Sequence, residues 1–124
     1  MREQTPRVLV VEDDDDLRSV ISSALADAGY APAEAADGAA ALAACAERDP
    51  AVILLDLALP RLGGLAFADA YRRGAGRAKI IVMTGAPSGG EISARLHAAV
   101  FLSKPFDLEE LLLAVKRVVY PAPA

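Results

Sequence analysis

Residues 51–56 read AVILLD, five apolar residues in a row followed by a carboxylate. A short apolar run without alternation is typical of a strand that is covered on both faces, as in a parallel sheet. Two other segments have the same character, RVLVVE at 7–12 and KIIVMT at 79–84. Parallel strands need crossover connections, which are usually helices, so the sequence predicts an α/β domain.

The segments between these strands carry helix signals. Residues 17–28 have apolar residues at helical spacing, and Gly29 suits the position just after a helix end. Asp37 is suited to cap an alanine-rich helix over 39–48. The remaining predicted elements are a weak strand at 31–36, a last strand at 99–103, helices at 65–73 and 107–120, and at most a short helix at 91–97 after a loop over 85–90.

Five β/α units follow from this pattern, and 124 residues fit a single domain with its core over about 6–120. Crossover connections between parallel strands are right-handed, and they place helices on both faces of a doubly wound parallel sheet. Ligands of such sheets bind at the carboxyl ends of the strands. Functional residues are therefore expected at the strand ends.

The composition argues against several classes of function. The net charge of −4 and the lack of a basic stripe argue against direct binding of nucleic acid. No apolar run approaches the roughly 20 residues of a membrane span, and residues 1–6 have no signal-peptide core. Cys45 is the only cysteine, so no internal disulfide can form and a cytoplasmic protein is expected.

Polar residues follow four of the predicted strands. Acids fill 12–16 after the first strand, Asp56 ends the third, Thr84 ends the fourth, and Lys104 follows Ser103 after the fifth. Carboxylates that meet at one edge repel each other and need a hard cation, and oxygen ligands suit Mg²⁺ or Mn²⁺. A lysine and a hydroxyl at the same place supply donors for an anion. Together these groups indicate phosphoryl transfer onto a carboxylate.

Four segments carry a family resemblance: VLVVEDD, ILLDLALP with Gly63-Gly64, IIVMTG and FLSKPF. In this order, each at a predicted strand end, they resemble the receiver domain of bacterial two-component response regulators over essentially the whole chain. The resemblance implies a flavodoxin-like sheet of order 2-1-3-4-5, which is known from this family. It also implies a phosphorylation-dependent signalling switch that accepts its phosphoryl group from a histidine kinase or histidine phosphotransfer protein.

The resemblance implies roles for the acidic residues. Asp56 matches the residue that is phosphorylated. Asp13 matches the acid that binds Mg²⁺ directly, and Glu12 matches its partner, which usually acts through water. The backbone carbonyl of Ala58 matches a further metal ligand. Asp14, Asp15 and Asp16 are instead expected to cap the predicted helix over 17–28 and to favour its first turn.

Other matches concern the phosphoryl group and its signal. The resemblance implies that Lys104 pairs with the phosphoryl group, that Thr84 contacts it, and that Phe101 is an aromatic switch, although core packing explains Phe101 nearly as well. It also implies a cis peptide before Pro105. The resemblance further implies that Ala58 and Ala86 are the positions nearest the attacking water of dephosphorylation.

The partner surface departs most from the family pattern. Thr84 and Lys104 are 20 positions apart, a shorter spacing than the family usually has. The deficit falls in 85–98, where PSGG at 87–90 disfavours a helix. We therefore expect the fourth helix to be short, shifted or mobile, and the downstream partner, whether a separate protein or a removed output domain, is not identified.

Two alternatives remain open. A phosphatase of the haloacid dehalogenase type needs a second acid two residues after the nucleophile, where this chain has Ala58. A phosphorylation-independent interaction module, or a flavin carrier, is disfavoured by the complete set of site residues and by the lack of a hydroxyl-rich loop after the first strand. A receiver catalyses its own phosphorylation and dephosphorylation, so we expect no turnover of a metabolite.

Overall fold

The computed structural model describes residues 5–122, in which strands and helices alternate. The strands are β1 (Arg7–Val11), β2 (Ala31–Ala35), β3 (Val52–Asp56), β4 (Lys79–Thr84) and β5 (Val100–Ser103); the helices are α1 (Asp15–Asp27), α2 (Gly38–Glu47), α3 (Gly64–Arg73), α4 (Gly89–Arg95) and α5 (Leu108–Val119). The strands form one parallel sheet of order β2-β1-β3-β4-β5. The predicted fold class and strand order are confirmed. Within the described range, no helix has the length and apolar character needed to cross a bilayer.

The sheet separates two apolar layers. Alternate strand residues such as Val10 and Leu54 pack with α1 and α5 on one face, while Leu9 and Ile53 pack with α2 and α3 on the other. All five residues of β3 are buried, which is the reason that its sequence shows no polar alternation. The central strands are thereby fixed, and their carboxyl ends are held in register.

Local capping sets the ends of the helices. Asp14 caps α1 by accepting hydrogen bonds from the backbone N–H groups of Asp16 and Leu17, so α1 begins two residues before the predicted start. Gly29 follows the helix with a φ of 97°, a left-handed conformation that favours glycine. Asp107 caps α5 in a capping box, which makes it the residue before the helix.

Helix α4 corrects one prediction. The loop that was predicted over 85–90 is wrong for its last two residues, because α4 begins at Gly89. A Cβ at Gly89 would overlap Thr84 Cγ2 and lie 3.0 Å from Phe101 Cε1. The low helix propensity of glycine is therefore outweighed by the close packing that a residue without a side chain permits here. The helix is short, as predicted, with seven residues.

A hydrogen-bonded group, which we call the Tyr71 clamp, fixes the amino ends of β3 and β4. The hydroxyl of Tyr71 in α3 donates to Asp49 Oδ1 and accepts from the N–H of Ala78, both at 2.7 Å. The N–H of Arg77 donates to Asp49 Oδ2 at 3.3 Å. Burial and the bond to Asp49 raise the pKa of Tyr71, so the phenol keeps its proton. The clamp joins α3 to the edge of the sheet that is opposite the strand ends discussed next.

Candidate functional site

Three carboxylates meet at the carboxyl edge of the sheet. Because Val11 of β1 pairs with Leu55 of β3, the residues that follow them are neighbours. One carboxylate oxygen each from Glu12, Asp13 and Asp56 lies within 4.8 Å of the others. Glu12 and Asp56 are buried, at 1% and 4% exposure, and Asp13 is exposed. The convergence that the sequence predicted is present.

Lys104 supplies a positive charge to this cluster. Its ammonium donates to Glu12 Oε1 at 2.7 Å and to Asp56 Oδ2 at 3.3 Å. Burial lowers the pKa of Lys104, but the hydrogen bond to Glu12 and the charge of Asp56 outweigh it, so the net shift is upward. Lys104 therefore stays protonated and balances the negative charge of two buried carboxylates.

Every polar group of Glu12 has a partner. Oε1 accepts from Lys104, and Oε2 accepts from the N–H of Asp14 at 3.1 Å. The backbone N–H donates to the carbonyl of Ala35 at 3.1 Å, and the backbone carbonyl accepts from Arg18 at 2.9 Å. This complete pairing explains how a carboxylate with 1% exposure is accommodated.

The two alanines that were predicted to lie nearest the attacking water flank the site. The N–H of Ala58 donates to Asp56 Oδ1 at 3.0 Å, and the N–H of Ala86 donates to Thr84 Oγ1 at 3.1 Å. Thr84 is buried, whereas both alanines are exposed. Each alanine thus adjoins a candidate reacting group but offers it only backbone atoms.

Thr84 also connects the site to α4 and β5. A Cβ at Gly89 would meet both the methyl group of Thr84 and the ring of Phe101, so Gly89 lies between these side chains. Phe101 is 39% exposed, which sets it apart from an ordinary core residue. The peptide bond between Lys104 and Pro105 is cis, the conformation that the resemblance implied.

Two features near the site were not anticipated from the sequence. In the loop after β3, the consecutive residues Arg61 and Leu62 have φ values of 44° and 71°, although neither is glycine. Such conformations are strained and depend on support from their surroundings. The backbone carbonyl of Leu62 lies so close to Gly38 that a Cβ there would overlap it, so the start of α2 packs against the loop that follows Asp56. The second unanticipated feature is Arg18, whose only sequence signal is its position two residues after the run of acids that ends at Asp16.

The donor set suits a hard divalent cation. Three carboxylate oxygens are brought together by two adjacent strands, and crowded oxygen ligands of this kind match the preference of Mg²⁺. Lys104 contacts two of these carboxylates, and Thr84 follows the residue that pairs with Asp56, so both lie at this edge of the sheet and can donate to an anion. The arrangement can therefore bind a cation and a phosphoryl group side by side.

Comparison with known proteins agrees with this arrangement. The sequence model of the response regulator receiver domain matches residues 8–116. The chain is 36% identical over 117 residues to the transcriptional regulatory protein PrrA of Mycobacterium tuberculosis, covering 93% of this chain and 50% of PrrA. It is 33% identical over 119 residues to the DNA-binding dual master transcriptional regulator RpaA of Synechocystis, covering 92% of this chain and 49% of RpaA. The chain spans about half the length of these curated relatives.

Solved structures share the fold over nearly their whole length. The chemotaxis protein CheY4 of Vibrio cholerae superposes with a TM-score of 0.85 at 33% identity, covering 93% of this chain and 99% of that one. The receiver domain of NtrX from Brucella abortus superposes with a TM-score of 0.83 at 31% identity, with coverages of 93% and 99%.

Proposed function

The chain belongs to the family of response regulator receiver domains, which are phosphorylation-dependent signalling switches, and we propose that Asp56 is the residue that accepts the phosphoryl group. The observation that carries this proposal is the position of Asp56. Its carboxylate is buried at the end of a central strand, beside two other acids and 3.3 Å from Lys104.

In the proposed reaction, a carboxylate oxygen of Asp56 attacks the phosphorus of a phosphohistidine. A P–O bond forms, the P–N bond breaks, and the imidazole leaves and regains a proton. Asp13, Asp56 and the carbonyl of Ala58 would hold Mg²⁺ directly, with Glu12 acting through water. The bound ion would neutralise charge on the transferring oxygens.

Lys104 and Thr84 would then hold the product. Thr84 Oγ1 already accepts a hydrogen bond from Ala86, so its own proton is free to be donated to a phosphoryl oxygen. A shift of Thr84 toward that oxygen would change the packing against Gly89 and Phe101. The chemistry at Asp56 would in this way reach the surface formed by α4 and β5.

The partners follow from this role. The proposed donors are a histidine kinase or a histidine phosphotransfer protein in the cytoplasm, and the receiver of the signal is a separate protein or an output segment of a longer chain. PrrA and RpaA are named as regulators of transcription, and RpaA as DNA-binding. Direct contact with nucleic acid is accordingly assigned to such an output segment, not to this acidic domain.

Incubation with acetyl phosphate and Mg²⁺ tests the proposal. Intact-mass spectrometry should show one added phosphoryl group, and Asp56→Asn should abolish it because an amide is not a nucleophile here. Asp16→Asn, which removes an exposed acid of α1, should leave the adduct unchanged. An adduct on Asp56→Asn would move the acceptor to another acid, and steady release of phosphate from small phosphoesters would instead favour a phosphatase.

A further inference from the structure

Arg18 joins three elements beside the acidic site. Its guanidinium donates to Asp15 Oδ1 of α1 at 2.7 Å, to Glu34 Oε1 of β2 at 3.0 Å, and to the backbone carbonyl of Glu12 at 2.9 Å. The side chain is only 16% exposed. A planar, multidentate cation of this kind holds its partners in a defined geometry.

The bond to Glu12 concerns the peptide that leads into Asp13. A donor on the carbonyl of Glu12 restricts rotation of that peptide plane, while the N–H of Glu12 is held by Ala35 on its other side. Asp13 is exposed, so its carboxylate is placed by the backbone more than by packing. The direction in which the Asp13 side chain projects from the backbone therefore depends on Arg18.

We propose that Arg18 is a positioning residue for the divalent cation: by holding the peptide between Glu12 and Asp13, it sets the affinity of the acidic site for Mg²⁺. This inference rests on the proposed function, in which Glu12, Asp13 and Asp56 hold the ion. Groups that orient metal ligands in this manner contribute about tenfold to hundredfold in affinity.

The charge of Arg18 acts in the opposite direction. The hydrogen bond to Asp15, partly offset by burial, raises the pKa of Arg18, so the guanidinium remains charged. A fixed positive charge close to a divalent cation repels it. Loss of that charge alone would tighten the binding of Mg²⁺, whereas loss of positioning would weaken it. The sign of the change in affinity separates the two effects.

The test is calorimetric titration of the EDTA-treated protein with MgCl₂, since the chain has no tryptophan to report binding by fluorescence. Arg18→Met keeps the apolar stem and removes all donors, and it should weaken Mg²⁺ binding about tenfold. Arg18→Lys keeps the charge but cannot reach all three acceptors, so it should also bind more weakly than the wild type. Glu34→Gln is the matched control, because it removes the charge of one partner of Arg18 and leaves the bond to Glu12.

The possible results have distinct meanings. Binding by Arg18→Met that equals or exceeds the wild type would overturn the positioning role, as would a Glu34→Gln variant with the same loss. Thermal unfolding in EDTA measures separately how much Arg18 stabilises the fold. A lower melting temperature of Arg18→Met with unchanged affinity for Mg²⁺ would overturn the proposal. If Arg18→Met does not fold, wild-type affinity in Arg18→Lys overturns it. No binding of Mg²⁺ by the wild type would instead refute the proposed metal site.

Discussion

The ammonium of Lys104 lies closer to Glu12, at 2.7 Å, than to Asp56, at 3.3 Å. Glu12 is the more buried of the two acids and has a second donor in the N–H of Asp14. In the absence of a divalent cation, Lys104 therefore acts as the internal counter-ion of the site. A metal ion and Lys104 compensate the same charges, and their contributions to stability overlap.

Replacement of Lys104 should expose this overlap. Lys104→Met leaves the carboxylates without a counter-charge and should lower metal-free stability by about 2 kcal/mol, less than for a fully buried pair because Lys104 is 26% exposed. Added Mg²⁺ should restore more stability in the variant than in the wild type. Thermal melts with and without Mg²⁺ measure both effects. Lys79→Met, at an exposed lysine of β4, is the control, and equal responses to Mg²⁺ would contradict the overlap.

Removal of an acid should have the opposite effect in the absence of metal. Asp13→Asn relieves repulsion with Glu12 and Asp56 and should stabilise the metal-free fold by about 1 kcal/mol while it weakens Mg²⁺ binding. Asp16→Asn, which removes a favourable charge from the first turn of α1, should not stabilise. Melting temperatures in EDTA compare the metal-free stability of the wild type and the two variants. Equal values for the wild type and Asp13→Asn would show that Lys104 already cancels the repulsion.

The two alanines beside the site predict the lifetime of the phosphorylated state. Neither Ala58 nor Ala86 can orient an attacking water, and neither is large enough to exclude one, so we expect an intermediate lifetime. Ala58→Asn combined with Ala86→Glu should shorten it about tenfold, because such side chains would position the water. Decay after removal of the phosphodonor, followed on a phosphate-affinity gel, measures the rate.

The control for that experiment changes size without polarity. Ala58→Leu with Ala86→Leu fills the same positions and should not shorten the lifetime. If the polar pair leaves the lifetime unchanged or longer, the approach of water is governed by another element, of which the loop over 85–88 is the nearest.

Helix α3 offers a prediction about stability alone. Its N-cap is Gly63, which makes no side-chain cap hydrogen bond. A Cβ there would have no neighbour closer than 3.9 Å, so a side chain fits. Gly63→Ser should be more stable than Gly63→Ala by about 1 kcal/mol, because only serine can accept from the free N–H groups of the first turn. Urea unfolding compares the two variants, and equal midpoints would show that the serine hydroxyl stays in solvent.

The sequence predicted the strands best, for a physical reason. β3 and β4 are buried on both faces, and this leaves a continuous apolar run that few other structures require. The end of such a run also marks the edge at which parallel sheets bind ligands, so Asp56 and Thr84 could be placed at that edge without any side-chain geometry. The start of α4 could not be found in this way, because it depends on packing at Gly89 and not on local propensity.

The pairing of side chains was also beyond the sequence. Lys104 was expected to serve the phosphoryl group, but its tightest contact in the structure is Glu12, which lies 92 positions away. Arg18 resembles an ordinary surface residue of an amphipathic helix, and its bond to a backbone carbonyl leaves no pattern in the residue types. The left-handed conformations of Arg61 and Leu62 likewise go against the preferences of these residue types, and the close approach of Leu62 to Gly38 is a contact that the residue types do not predict.

The Tyr71 clamp has a consequence for how such a protein can evolve. Tyr71, Asp49 and Ala78 hold the amino ends of β3 and β4 together at the edge of the sheet that lies away from the site. Insertions and deletions in the exposed loops of the other edge, away from Lys104 and its carboxylate partners, should therefore cost the fold little. A lineage is then free to alter partner preference and signal duration on one side of the sheet while the other side preserves the scaffold.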